Sequence, residues 1–353
     1  MTLQKLRKKI DAIDSHLMAL LNERARLSMA IGREKIKSKK GIYAPAREKQ
    51  VLARIKALNK GPMTVSACEA IYREIMSGSL ALEKPLKVAC LGTEGAYSYL
   101  ATRKKFGSQV SIDSCGNIYE VFQKVELRDC DYGVVPIENS TEGAVTDTFD
   151  LLVDSDLKIC SQVLQKIEHC LISRSPLEKI KVVYSNPNVF GQCRSWLKGH
   201  LPKAAQISLS STTQSVKMVA GKKGAAAIAS RQAAEAYGVP VVRQNVNDIP
   251  HNTTRFLVIG VEDAAPTGTD RTSILFSIKD RVGALHAMLT PFFRNKINLT
   301  KIESRPSKKK AWDYYFFVDF EGHREDKNVK RALGQLEEMC KYLKVLGSYP
   351  VLA

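Results

Sequence analysis

In Pro250-His251-Asn252-Thr253-Thr254-Arg255-Phe256-Leu257-Val258-Ile259-Gly260, an imidazole, an amide, two hydroxyls and a guanidinium run directly into an apolar strand. The chemistry on offer is hydrogen-bond donation and anion recognition. A Thr hydroxyl is too weak an acid to give up its proton freely, but it can donate a hydrogen bond to a departing oxygen. Four hydrogen-bonding side chains before Arg255 are poor material for a strand interior, so this stretch is expected at a loop or strand mouth. The run Phe256-Leu257-Val258-Ile259 would anchor it, as α/β folds hold polar groups at the ends of rigid strands. His251 reads as a structural loop residue rather than a base.

Other strand ends between residues 85 and 262 carry similar chemistry. Lys87–Leu91 leads into Gly92-Thr93-Glu94-Gly95-Ala96-Tyr97-Ser98, a turn whose backbone N–H groups suit a carboxylate or phosphate. It is not G-x-G-x-x-G, so no dinucleotide is expected. Residues 131–137 empty into the polar loop Glu138-Asn139-Ser140-Thr141-Glu142-Gly143, and a later helix bears Gln192-Cys193-Arg194. Alternating strands and helices predict an α/β sheet, and several polar strand ends in one segment imply a shared cleft.

A different chemistry lies in residues 1–84. Leu3, Leu6, Ile10, Ile13, Leu17, Leu20, Arg24, Leu27 and Ile31 follow a 3-4 spacing, which predicts one helix over about 3–38 that needs partners. Arg24 stands where an apolar residue belongs, and a buried guanidinium demands an anion or a carboxylate. Lys35, three turns on, shares its face. Arg7 lies roughly 260° round the helix from Arg24, so it serves such a site only on another subunit. Pro45 opens a second helix with Arg47 and Glu48 in its first turn. A third, capped by Thr64, places Ser79 and Glu83 on one face at i and i+4.

Composition narrows the class. The chain has 353 residues, enough for two or three domains, with 44% hydrophobic content and a net charge of +18. Residues 1–84 hold 18 Lys and Arg against 8 Asp and Glu. A small polyanion fits this better than nucleic acid, since only Tyr43 and Tyr72 could stack on bases there. No apolar run reaches the roughly 20 residues of a membrane span, and the N-terminus lacks a signal-peptide pattern. Eight scattered cysteines without a C-x-x-C pair suit a reducing cytoplasm. No metal constellation is present. After a linker at 262–270, strands near 272–278, 299–304, 312–320 and 345–349 alternate with helices over 283–294 and 326–342. That βαββαβ order is ferredoxin-like, with Lys308-Lys309-Lys310 at a hairpin turn.

Three resemblances follow from these motifs. Residues 1–84, through Arg7, Arg24, Lys35, Tyr43-x-Pro45-x-Arg47-Glu48 and Ser79-x-x-x-Glu83, resemble the all-helical chorismate mutases, which are intertwined dimers. The resemblance implies that Arg7, Arg24 and Arg47 hold the carboxylates of chorismate, with Glu48 and Ser79 nearby, while Lys35 and Glu83 face the ether oxygen. Some members have Asp at the place of Ala44 and Gln at that of Glu83. A Glu there helps only when protonated, so mutase activity should fall as pH rises through its ionisation. Residues 85–262 resemble prephenate dehydratase, through Leu91-Gly92-x-Glu94-Gly95-x-x-Ser98, Gly133 to Ser140, Gln192-Cys193-Arg194 and Thr254-Arg255-Phe256. Two lobes like those of periplasmic binding proteins are implied, with Thr254 catalytic and Glu138, Asn139, Ser140, Gln192 and Arg255 contacting prephenate. Arg255 fits either a carboxylate or lobe structure. Thr93 and Ala96 depart from the usual Pro and Thr. Residues 271–353, through Gly283-Ala284-Leu285-His286 and Glu303-Ser304-Arg305-Pro306, resemble an ACT domain that binds phenylalanine. Together these imply a cofactor-free bifunctional enzyme, at least dimeric, that is inhibited by phenylalanine. An arogenate dehydratase and a non-catalytic phenylalanine sensor are the alternatives.

Overall fold

The computed structural model describes residues 2–38, 41, 43–278, 281–306 and 314–351. They form two compact units, Met1–Lys87 with Phe106–Ser111, and Val88–Lys105 with Ile112–Ala353.

In the first unit, α1 (Leu3–Lys37), α2 (Pro45–Leu58) and α3 (Val65–Glu83) follow the predicted helices closely. The Thr64 side chain accepts from Ala67 N at 3.2 Å and starts α3. α1 and α3 approach so closely at Gly32 that an added Cβ would lie 2.9 Å from Glu83 Cβ. The apolar stripe of α1 is not the face that packs here. Leu27 and Ile31 are 61% and 53% exposed, as are Leu3 to Leu20 of the same stripe in large part, whereas Ser28 and Gly32 are buried. Arg24 therefore belongs to the 24-28-32-35 face, one step round from the stripe in which spacing placed it. Phe106–Ser111 joins this unit. Phe106 packs tilted against Tyr43, ring centroids 4.9 Å apart, Ser108 N donates to Glu74 Oε2 at 3.1 Å, and Gln109 N donates to Ser77 Oγ at 3.0 Å.

The second unit opens with two α/β lobes. The sheet of the first runs Ser111–Cys115, Lys87–Leu91, Tyr132–Asn139, Thr253–Gly260, Lys158–Lys166, with Gly143–Ala144 added on Tyr132–Asn139. The sheet of the second runs Val241–Arg243, Cys170–Ile172, Ala225–Ala229, Val182–Ser185, Ala205–Ser208. The chain passes between lobes after Lys166 and returns before Thr253. The two crossings are tied together: Ile167 N donates to Asn252 O and Val246 N to His169 O, both at 2.9 Å, and His169 N donates to Asn247 Oδ1 at 2.7 Å.

One expectation changes here. Glu138 and Asn139 are not in a loop, because the strand Tyr132–Asn139 runs through them, paired to Arg255 and Thr254. Thr253 and Thr254 open their strand, as a place at a strand mouth requires, and Thr254 and Arg255 lie between two antiparallel neighbours. The polar side chains of Glu138, Asn139, Thr254 and Arg255 are tolerated because each finds a partner, as described below.

The C-terminal segment has the βαββαβ order, with strands Asp270–Ser277, Leu299–Pro306, Tyr314–Glu321 and Tyr342–Pro350 and helices Ala284–Arg294 and Lys327–Met339. The expected Lys308-Lys309-Lys310 turn lies outside the described residues. One sheet face packs Ile274, Phe276, Val318 and Phe320 against Met288, Phe292 and Leu336 of the helices. The other buries Leu275, Phe317, Leu346 and Tyr349 in one cluster with Phe149, Leu152, Ile159 and Leu257 of the first lobe. At Gly347 a Cβ would stand 2.3 Å from Ile159 O, so this contact is backbone against backbone. The segment expected as a linker is also held down: Ala264 is buried and Asp263 pairs with Arg324 at 2.6 Å.

Candidate active site

In the helical unit, Arg24 Nη1 donates to Ser79 Oγ, whose own proton goes to Ile75 O at 2.8 Å. One turn along α3, Lys35 Nζ pairs with Glu83 Oε2 at 2.9 Å, and both are largely buried. Gly32 makes this possible, since any side chain there would displace Glu83. Tyr43 OH donates to Glu48 Oε2 at 3.1 Å. Arg47 is exposed and reaches Gln50 at 3.3 Å. Arg7 is exposed, far along α1 from Arg24 and Lys35.

Between the α/β lobes, the hydrogen-bond directions can be assigned throughout. Asn139 Oδ1 accepts from Thr141 N at 2.9 Å, Thr141 Oγ1 at 2.6 Å and Glu142 N at 3.0 Å. Three donors settle which side-chain atom is oxygen. Asn139 Nδ2 then donates to Thr254 Oγ1 at 2.8 Å and to Asn252 Oδ1 at 2.7 Å. Thr254 Oγ1 accepts this bond, so its own proton is left to donate elsewhere. Asn252 Nδ2 donates in turn to Gln192 Oε1 at 2.7 Å. Thr141, Glu142, Gln192, Asn247, Asp248 and Asn252 line a cavity of about 160 Å³. Ser140 Oγ accepts from Thr253 N at 3.0 Å and bonds the carbonyl of exposed His251 at 3.3 Å, fixing the start of the strand. Next to Gln192, burial pushes the Cys193 thiol up to about 12, so it is no nucleophile at neutral pH.

Glu138 and Arg255 are not on this side. Successive strand residues face opposite ways, and the register that faces Thr254 with Asn139 pairs Arg255 with Glu138 on the far side. The Arg255 guanidinium is buried against Asp319 Oδ2 at 2.6 Å, Gln162 Oε1 at 2.9 Å and Tyr349 OH at 2.7 Å. Glu138 pairs with Lys301 at 3.0 Å. Of the two roles open for Arg255, the geometry favours structure, and Glu138 shares it. Both tie the lobe to the C-terminal sheet.

In that sheet the expected ligand motifs are also divided. Gly283, at φ 75°, opens the helix Ala284–Arg294, with Leu285 and His286 exposed beyond it. Ser304 pairs with Phe316 on the helical face, and Ser304 and Pro306 are exposed. Arg305 turns toward the lobe, where it meets Asp150 at 3.4 Å. Glu303 lies between, 3.9 Å from Lys301. Glu303 and Arg305 therefore face away from the helix that carries Gly283 to His286.

The family described as prephenate dehydratase matches residues 88–264, chorismate mutase type II matches residues 6–84, and the ACT domain matches residues 272–338. A bifunctional chorismate mutase/prephenate dehydratase of Aquifex aeolicus is 45% identical over 353 residues, covering 99% of this chain and 98% of that one. The chain belongs to the bifunctional chorismate mutase/prephenate dehydratase family. The Escherichia coli member is 31% identical over 98% of this chain and 95% of its own. A solved prephenate dehydratase of Arthrobacter aurescens, in complex with L-Phe, superposes with a TM-score of 0.70 at 30% identity, covering 75% of this chain and 90% of that one.

Within this family member, sequence reasoning passed over two buried groups at the lobe crossings. Asn252 was read only as part of a polar stretch, and His169 not at all. His169 is 1% exposed, its ring edge-on to Tyr97 at 5.6 Å, and its Nε2 bonds Gln192 Oε1 at 2.9 Å. A lone His 23 residues from its partner offers no spacing signal. Among the described residues, no His/Cys/Asp/Glu group is placed to hold a metal, and no helix is long and apolar enough to cross a membrane.

Burial holds His169 down to about 4 from an ordinary 6.5, with the Gln192 bond opposing in part. Between those values the unfolded chain binds the extra proton and the folded chain does not, so stability rises with pH across that window. This stabilisation is complete above pH 6.5 and is lost as pH falls toward 4, by on the order of 3 kcal/mol. Urea unfolding of the whole chain at pH 4.5 and 7, followed by lobe fluorescence, should show this loss, and His169→Gln should flatten it.

Proposed function

We propose that the helical unit rearranges chorismate to prephenate and that the α/β lobes convert prephenate to phenylpyruvate under feedback from phenylalanine at the C-terminal domain. The observation that carries the dehydratase reading is the direction of the Asn139–Thr254 hydrogen bond, which leaves the Thr254 proton free. As the carboxylate leaves as carbon dioxide, its C–C bonding pair enters the ring and the ring C–O bond breaks. Thr254 donates to the departing hydroxyl oxygen and the amide of Gln192 orients the ring and that oxygen, while Asn139, whose two N–H groups are spent on Thr254 and Asn252, holds the Thr254 hydroxyl in place rather than touching the substrate. Aromatisation drives the step, so the protein's task is orientation and stabilisation of leaving-group charge.

The mutase reaction is pericyclic and needs no nucleophile. Arg24, Arg47 and, from a second subunit, Arg7 hold the two carboxylates, with Ser79 and Glu48 fixing Arg24 and the second-helix turn. Lys35 meets the ether oxygen. Glu83 lies 2.9 Å from Lys35 in the substrate-free chain, which supports a place for both beside that oxygen. Glu83→Gln, which keeps the length and a donor, should retain mutase turnover, whereas Glu83→Ala should lose at least about 10-fold. Equal turnover of Glu83→Ala and wild type excludes this role for Glu83. The exposed apolar stripe of α1 supports a partner subunit, hence at least a dimer.

For phenylalanine, Gly283, Ala284, Leu285 and His286 with Ser304 and Pro306 form the binding side of the domain. The Glu303 and Arg305 side chains carry its underside against the lobe. The deciding experiment supplies chorismate, prephenate and arogenate separately and follows phenylpyruvate or phenylalanine formation, with and without added phenylalanine. Turnover of arogenate in preference to prephenate would favour the alternative second substrate. Turnover of none would leave a phenylalanine sensor.

A further inference from the structure

The bond directions fixed above continue past the residues assigned to the substrate. Gln192 Oε1 accepts from Asn252 Nδ2 at 2.7 Å and lies 2.9 Å from His169 Nε2. An amide oxygen cannot donate, so His169 carries its proton on Nε2 and donates it. Its Nδ1 is then a bare acceptor, and that atom is buried with no hydrogen-bond partner. An orphaned acceptor in a buried ring is costly and calls for an explanation. Here it is the consequence of committing the single N–H of a neutral imidazole to Gln192.

Resting on the dehydratase reading above, we propose that His169 is a positioning residue for dehydration: with Asn252 it pins the Gln192 carbonyl oxygen and turns the Gln192 amide nitrogen into the cleft as a donor. Two donors on one oxygen leave that side chain a single orientation, with its NH2 free to meet the hydroxyl or carboxylate of a cyclic diacid. The pin spans the molecule's dividing line. Asn139 and Thr254 belong to the first lobe, His169 and Asn252 to the two crossings, and Gln192 to the second. The backbone follows the same path, since Asp248 N donates to Gln192 O at 2.8 Å and His169 N to Asn247 Oδ1 at 2.7 Å. Asp248 also receives the N–H groups of Ser195 and Trp196, both at 2.8 Å, at the start of the helix Arg194–His200. His169 thereby sets the second-lobe donor at a fixed offset from the first-lobe Thr254, and an offset wrong by 1 Å can cost about 10²-fold.

The test compares His169→Leu, which removes the donor, with His169→Gln, whose terminal amide can donate from the place of Nε2. Steady-state dehydratase kinetics should show kcat reduced about 10- to 100-fold in His169→Leu, with KM changed much less, and recovery to within a few-fold in His169→Gln. In a Gln192→Leu background, His169→Leu should cause no further loss, because its effect is spent through Gln192. An additive loss, or equal falls in both His169 variants, would assign the residue to general packing and overturn the proposal. Mutase turnover in the same preparations reports the amount of competent chain. A second readout needs no turnover and no variant. In substrate-free protein with isotope-labelled histidine, long-range nitrogen–proton spectra should show a neutral Nε2–H tautomer for His169 at pH 7. A Nδ1–H tautomer or an imidazolium overturns the proposal even if the wild type turns over neither prephenate nor arogenate, the result by which the dehydratase reading itself would fail.

Discussion

Replacing Thr254 with Val is expected to lower dehydratase kcat by about 10²–10³-fold while chorismate rearrangement by the same chain is unchanged. Val keeps the β-branched shape and the strand, so the loss isolates one O–H donor. Thr254 is 8% exposed and flanked on both sides by paired strands, which keeps its hydroxyl from wandering. Because Asn139 donates into Oγ1 at 2.8 Å, the Thr proton is aimed by elimination, and the donation polarises the hydroxyl toward giving that proton. Thr254→Ser keeps the donor but loses the methyl group that limits rotation, and should retain most of the activity. Product formation from prephenate at saturation is the measurement. A Val variant within a few-fold of wild type would mean that the hydroxyl does not meet the leaving group.

The second large effect is on stability. Arg255→Met should cost about 3–5 kcal/mol, since it abandons Asp319 in a buried interface. Asp319 Oδ1 accepts the one proton of Ser273 Oγ at 2.5 Å. Tyr349 OH, 2.8 Å from Ser273 Oγ and accepting from Arg255, must then donate to Ser273. Burial, with Asp319 adding to it, pushes the Tyr349 phenol up to about 12, so it stays a neutral donor. Without the guanidinium every bond in this set points at an uncompensated carboxylate. Arg255→Met/Asp319→Leu removes both charges and should recover most of the loss, as buried pairs exchanged for apolar residues commonly do. Denaturant unfolding of the two variants, read from the aromatic signal of the C-terminal domain, checks this. Equal losses in both would show that packing rather than the unpaired charge sets the cost.

Much of the architecture was legible because it obeys local rules. The helices of residues 3–83 announced themselves by spacing, Pro45 and Thr64, and the βαββαβ order by alternating runs. Asn139, Gln192 and Thr254, drawn from three distant stretches, are joined through Asn252 in one hydrogen-bond chain. Less legible were features decided by tertiary partners. Glu138-Asn139 after an apolar run reads as a loop, and only the pairing with Thr253–Gly260 makes it strand. Once it is strand, the two-residue alternation separates Glu138 from Asn139 and Arg255 from Thr254, which a motif string cannot do. Similarly, Leu27 and Ile31 share a spacing with Arg24 but not its face, because Gly32 lets α3 come close on the other flank. His169 stayed hidden because its meaning lies in a bond to a residue beyond any local pattern.

The return of Phe106–Ser111 to the helical unit has a consequence for synthesis. A chain emerges from the ribosome N-terminus first and its domains tend to fold as they appear. Here the three helices are all made by residue 83, yet Glu74 and Ser77 wait for the N–H groups of Ser108 and Gln109, and Tyr43 for the ring of Phe106. The first strand of the α/β sheet, Lys87–Leu91, and the helix Tyr97–Phe106 are therefore translated before the earlier unit can close. Completion of the N-terminal unit is timed to the start of its neighbour.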